Sequence, residues 1–169
     1  RLTPIQLGFR ILDWEVPILS LREGNEGVFL FRSQDQYNLK RQLPLGARFP
    51  LHCNGAGKAI LAELGQEFLE KYIQEFGLTP MNANTITDSE ELKTQLNTVR
   101  ERGFALNLGE RDEEVTSVSS VVSDPVKDKI GAISVSIPAD SPSTEHLDGK
   151  YGEAVRKVTS ELSLKLKHS

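Results

Sequence analysis

The sequence predicts an α+β fold with a mainly antiparallel sheet, on three observations. Its period-2 stretches are grouped and joined by hairpin-type turns, its 3.6-period stretches flank them, and 38% hydrophobic content in 169 residues suffices for one sizeable core. At the start, "TPIQLGFRILDW" sets Ile5, Phe9 and Leu12 at helical spacing, with Thr3 as candidate N-cap and Pro4 in the first turn, where proline is tolerated. After Pro17, "ILSL", "REGNEG" and "VFLFRS" read as strand, turn and strand, the Gly24-Asn25 pair accepting positive φ. "YNLKRQL" reads as another strand. From Gly55, residues Ala56, Ile60 and Leu64 share one helical face, and a second helix continues through "EFLEKYIQEF".

The best-punctuated element is "TDSEELKTQLNTVRERG". Thr87 or Asp88 caps it, Glu90 or Glu91 completes a capping box, Leu92, Leu96 and Val99 form the apolar stripe, and Gly103 stops it. Three strands follow, "FALNL", "VTSVSSVVS" and "IGAISVSI", and the chain closes on an amphipathic helix whose apolar face is Tyr151, Val155, Val158, Leu162 and Leu166.

Bulk properties exclude several function classes. A net charge of -4 provides no basic field for gripping nucleic acid, and clusters such as Lys127 with Lys129 are diluted by nearby acids. No apolar run approaches the roughly 20 residues needed to span a bilayer, so a soluble, cytoplasmic domain without membrane contact is expected. The single cysteine, Cys53, forms no internal disulfide, in keeping with a reducing compartment. A chain opening on Arg1 is expected to be part of a longer protein.

The stretch "PLHCNGAGKAIL" invites three readings. A phosphate-binding P-loop fails, because His52 stands where its first glycine belongs and Ala59 where its metal-binding hydroxyl belongs. The dinucleotide pattern begins at Gly55 and Gly57 but then meets Ile60. A Cys53/His52 catalytic pair is disfavoured because neighbours in sequence rarely face one another, and a buried, inert thiol is the simpler expectation. His52, Cys53, His146 and His168 lack metal-ligand spacing, and the acids of "GERDEE" read as a solvated turn. What remains is a helix start with unpaired N–H groups open to an anion, or glycines that merely allow tight helix packing.

Strand alternation adds a polar face. Ile133, Val135 and Ile137 point one way, and Ala132, Ser134 and Ser136 the other; Ala105 and Asn107 lie opposite Phe104, Leu106 and Leu108; Ser117 and Ser119 share a side. If these strands are neighbours, Asn107, Ser117, Ser134 and Ser136 converge in a hollow lined by small residues. Spacing alone favours the alternative, in which the serines face solvent on an open side of the sheet.

Taken together, "LPLGARFPLHCNGAGKAIL", "TITDSEELKTQLNTVRERGFALNLGE" and "VVSDPVKDKIGAISVSIP" resemble the C-terminal effector-binding domain of IclR-type bacterial transcription regulators, and "RLTPIQLGFRILD" resembles the linker helix that follows their winged helix-turn-helix domain. The resemblance implies a GAF-like or profilin-like fold with a sheet of about six strands. It divides the chain into a linker helix over 1–14 and an effector-binding domain over 15–169. It implies a small organic acid held by the backbone of Gly55 and Ala56 and by the side chains of Asn107, Ser117, Ser134 and Ser136, with Leu45 and Phe49 at the mouth. It also implies a homodimer or homotetramer that contacts operator DNA only through the absent N-terminal domain, with no cofactor and no catalysis. Asn107 replaces an aspartate and Ser117 a cysteine of the regulator that names the family, and the helical segment expected before the first hairpin strand is nearly absent around Trp14. A GAF-like catalytic domain and a pure dimerisation module are the alternatives.

Overall fold

A computed structural model describes residues 16–32 and 43–169. Six strands, β1 (Val16–Glu23), β2 (Glu26–Arg32), β3 (Arg48–Pro50), β4 (Ala105–Leu108), β5 (Val115–Asp124) and β6 (Lys129–Pro138), form one antiparallel sheet in the order β3-β2-β1-β6-β5-β4. The predicted hairpin is β1–β2, turned at Gly24 and Asn25, with Gly24 at φ +63°. Its register slips once: Leu19 faces Phe31 while Ser20 faces Phe29, leaving Leu30 as an unpaired bulge residue. The pairing of β1 with β6 joins the two halves of the chain at the centre of the sheet.

Among the described residues there are four α-helices, α1 (Gly55–Leu64), α2 (Gln66–Phe76), α3 (Ser89–Arg102) and α4 (Gly152–Lys167); α1 and α4 lie on the sheet, and α2 and α3 pack against α1. For α3 the cap is Asp88, whose carboxylate accepts the Glu91 N–H at 2.9 Å, and Gly103 ends the helix in the left-handed conformation at φ +87°. On one face of the sheet, Ala56, Ala59 and Ile60 of α1 and Leu92, Leu96 and Val99 of α3 pack with Ile18, Phe29, Ala105 and Ala132. On the other, Tyr151, Val155 and Val158 pack on Val118, Ile133, Val135 and Ile137. Each face therefore carries helix, α4 covering its side at β5 and β6 while Phe31 of β2 on that side stays 40% exposed. No helix among the described residues is long and apolar enough to cross a membrane.

This two-sided cover overturns the solvent-facing reading of the serines: Ser117, Ser119, Ser134 and Ser136 are all buried beneath α1. Alternation assigned each side chain to a face correctly, but the covering of that face depends on contacts distant in sequence. On β4 the outcome is reversed from the usual one, since the small, polar side Ala105 and Asn107 is buried while Leu108, on the apolar side, is 62% exposed at the sheet edge. The leading helix with Ile5, Phe9 and Leu12, the boundary at residue 14, the segment around Trp14 and all of "YNLKRQL" except the buried Leu43 lie outside the described residues.

Candidate functional site

The start of α1 is set by Asn54. Its backbone is extended, its Oδ1 accepts the Gly57 N–H at 2.8 Å, and its carbonyl accepts the Lys58 N–H at 3.0 Å. Among the described residues, no acceptor takes the N–H groups of Gly55 and Ala56. The two glycines beside them serve packing. A side chain at Gly57 would overlap the Leu51 carbonyl, and a Cβ at Gly55 would lie 2.7 Å from the Ser119 hydroxyl. Gly55 lets the helix end press closely onto β5, and Gly57 lets it pass close to the Leu51 backbone.

Facing that end, Asn107 stands opposite Ser117, Ser117 opposite Ser136, and Ser119 opposite Ser134. Asn107 donates from Nδ2 to Ser117 Oγ at 3.2 Å, and its Oδ1 accepts the Glu110 N–H at 2.9 Å. Ser119 and Ser134 hydroxyls meet at 2.6 Å. Between helix end and strands is a small cavity of about 30 Å³, room for a water or two. Its polar lining is Asn54, Asn107, Ser117, Ser134 and Ser136; Phe29, Leu43, Ala56 and Val115 complete the wall, with the half-buried Arg111 and Asp112 alongside.

Five of the eight residues singled out from sequence thus line one cavity: Ala56, Asn107, Ser117, Ser134 and Ser136. Three do not. Gly55 is sandwiched against Ser119 and Ser117. Phe49 is fully buried in the core, its ring 4.7 Å from that of Phe29, so that Phe29 and not Phe49 forms the wall. Leu45 is 52% exposed on a turn and does not line the cavity. Sequence reasoning missed Asn54, Phe29 and Arg111. Asn54 was legible as a capping residue just before the helix; Arg111, whose guanidinium stands 5.4 Å from the Phe29 ring centroid, was hidden among the acids of "GERDEE".

That acidic stretch is not simply a solvated turn. Glu110 is buried and forms an ion pair with the equally buried Lys58. The Lys58 ammonium donates to Glu110 Oε2 and to Gln95 Oε1, each at 3.0 Å, and lies 2.8 Å from Glu110 Oε1. Oε1 lacks hydrogen-bond alignment, so that contact is coulombic, while Oε2 also accepts the Leu108 N–H at 3.0 Å. Burial draws the Lys58 pKa down and the Glu110 carboxylate opposes it. Since Glu110 N–H holds Asn107, this pair ties α1 to the turn that orients a cavity side chain.

His52 and Cys53 diverge. Thr79 O can only accept, so His52 Nε2 carries the proton in that 2.9 Å bond and Nδ1 accepts from the Tyr72 hydroxyl at 2.8 Å. Burial lowers the His52 pKa and raises that of Tyr72 to about 12. Cys53 is fully buried, its thiol donates to Pro50 O at 3.2 Å, and burial pushes its pKa up to about 12, as befits an inert thiol. A larger hollow of about 400 Å³ lies beside His52, Tyr72 and Phe76, but the imidazole and phenol there are committed to one another. An open groove between α3 and α4 is lined by Arg100, Arg102 and Arg156, which are engaged with Ala62 O, Asp148 and Glu153.

The family described as Bacterial transcriptional regulator IclR C-terminal matches residues 14–164. The HTH-type transcriptional repressor AllR of Escherichia coli K12 is 32% identical over 163 residues, 96% of this chain and 60% of the repressor, so the chain spans about three fifths of the length of that relative. In structure, Thermotoga maritima IclR superposes with a TM-score of 0.82 at 25% identity, covering 96% of this chain and 73% of that one. The inducer-binding domain of PobR from Acinetobacter, as a double mutant in complex with 3-hydroxybenzoic acid, superposes with a TM-score of 0.80 at 22% identity, covering 95% and 93%. A match over nearly the whole chain, with a six-stranded sheet carrying the same overall fold, shows that this protein belongs to the IclR family of bacterial transcriptional regulators and corresponds to their C-terminal domain.

Proposed function

We propose that this domain senses a small organic acid and passes its presence to an attached DNA-binding domain, with no chemistry of its own. The observation that carries the reading is the convergence of hydrogen-bond groups on one cavity: Ala56, at the start of α1 where the N–H groups have no acceptor among the described residues, lines it together with Asn107, Ser117, Ser134 and Ser136 of the strands. A helix start favours negative charge by about 0.3 to 1 kcal/mol through its dipole, and hydrogen bonds from N–H and hydroxyl groups add to it. The acid held by the PobR domain is a carboxylate of this general kind. Its aromatic ring exceeds the present cavity of about 30 Å³, so a ligand of that size requires outward movement of the cavity wall.

Asn107 refines the ligand class. A neutral carboxamide removes one source of repulsion against an anion, which favours a sugar acid, a longer acid or a more highly charged one over the shortest keto acids. Binding would alter packing between subunits of a homodimer or homotetramer and so change operator affinity, through a coupling of about 1 to 3 kcal/mol. The catalytic alternative finds little support at His52 and Cys53, which face different partners and are both buried.

The test is thermal unfolding of the full-length protein against an acid panel. A ligand at a hundred times its Kd adds about 2.7 kcal/mol, raising Tm by several degrees, and the same acid should shift operator binding. No stabilisation by any acid, or stabilisation with unchanged operator affinity, would count against the sensor reading.

A further inference from the structure

We infer that Asn54 is a specificity-determining residue of this cavity, presenting its amide Nδ2 as a hydrogen-bond donor to the ligand; the inference rests on the sensor reading above. The orientation of the carboxamide follows from the cap. Gly57 N–H can only donate, so the atom 2.8 Å from it is Oδ1, and Nδ2 is the end left over. Asn54 is 7% exposed and lines the cavity, and no acceptor among the described residues takes its Nδ2–H. Nδ2 is not among the fully buried unpaired side-chain atoms of the described residues, so it keeps accessible surface and is open to an acceptor that enters the cavity.

Asn107 is arranged in the same way on the opposite wall. Its Oδ1 is occupied by the Glu110 N–H, so its Nδ2 is the end directed at Ser117 and the cavity. Because Ser117 Oγ accepts from Asn107, its own hydroxyl hydrogen is free to turn inward. Donors therefore stand on both sides of the cavity: two amides whose oxygens are already used and the Ser117 hydroxyl. Such donors suit carboxylate or carbonyl oxygens, while the Ser134 and Ser136 hydroxyls and the Asp112 carboxylate are the acceptors on the same lining.

The cap and the donor can be separated. Aspartate and serine cap a helix about as well as asparagine, so Asn54→Asp and Asn54→Ser both keep an acceptor for Gly57 N–H, while the first turns the amide into a carboxylate and the second deletes it. Full-length wild type and both variants would be titrated calorimetrically with succinate, gluconate, 2-oxobutyrate and 4-hydroxybenzoate, with Tm recorded alongside. The expected result is an affinity loss of about tenfold or more for Asn54→Asp and several-fold for Asn54→Ser, with Tm in the absence of ligand nearly unchanged for Asn54→Ser. If wild type and both variants bind a probe equally tightly, the Asn54 assignment is overturned while the sensor reading stands. If wild type binds none of the four acids, the sensor reading fails and takes this assignment with it. Should Asn54→Asp fold poorly, Asn54→Ser alone decides.

Discussion

The Lys58 ammonium lies 2.8 Å from the Glu110 carboxylate, with the two side chains only 2% and 7% exposed, and this contact joins the helix bordering the cavity to the turn that orients Asn107. Removing one member of a buried pair leaves the other charge uncompensated, which typically costs about 3 to 5 kcal/mol. Lys58→Met is expected to destabilise by roughly that amount in urea denaturation, and adding Glu110→Gln should recover part of it, since the amide oxygen can still accept the Leu108 N–H. A single mutant as stable as wild type would remove the pair from the structural account.

Asn107→Asp keeps the acceptor for Glu110 N–H and places a negative charge beside Ser117. Acid binding should weaken by about tenfold or more, most for the more highly charged acids. Equal binding by both forms, measured by calorimetry, would sink the idea that the neutral amide selects the ligand.

Buried His52 has a folded-state pKa below its ordinary value of 6.5, chiefly through desolvation. Below pH 6.5 the unfolded chain takes up a proton that the folded chain refuses, so the stability contributed here is present above about 6.5 and is lost as pH falls through the folded value. Equilibrium unfolding between pH 7.5 and 5 should show this slope in wild type, and His52→Gln should flatten it. An unchanged slope in the variant would assign the acid sensitivity to other groups.

Gly57→Ala forces a methyl group into the Leu51 carbonyl, a backbone atom that cannot swing aside. Overpacking of this kind costs about 1 to 3 kcal/mol, and because it displaces the start of α1 it should weaken acid binding as well. Denaturation midpoints together with calorimetry check both effects; a variant that kept wild-type values in each would show that α1 need not sit so close to residue 51.

Most elements and their faces were legible in local pattern, though not β3, three residues too short to show a period. Asp88 and Gly103 bound α3, Gly24 and Asn25 turn the first hairpin, and alternation placed Asn107, Ser117, Ser134 and Ser136 on a common side, because capping, turn formation and pleating act over a few residues. The family resemblance in the motifs was equally legible, and the match over residues 14–164 agrees with it. Long-range packing alone settles that both sides of the sheet carry helix, that Glu110 is paired with Lys58, that Phe29 stands where Phe49 was expected, and that Asn54 borders the cavity while Gly55 packs against Ser119 and Ser117. Each of those outcomes depends on which distant segments meet. Burial and ion pairing are properties of the assembled neighbourhood, so local periodicity carries no record of them.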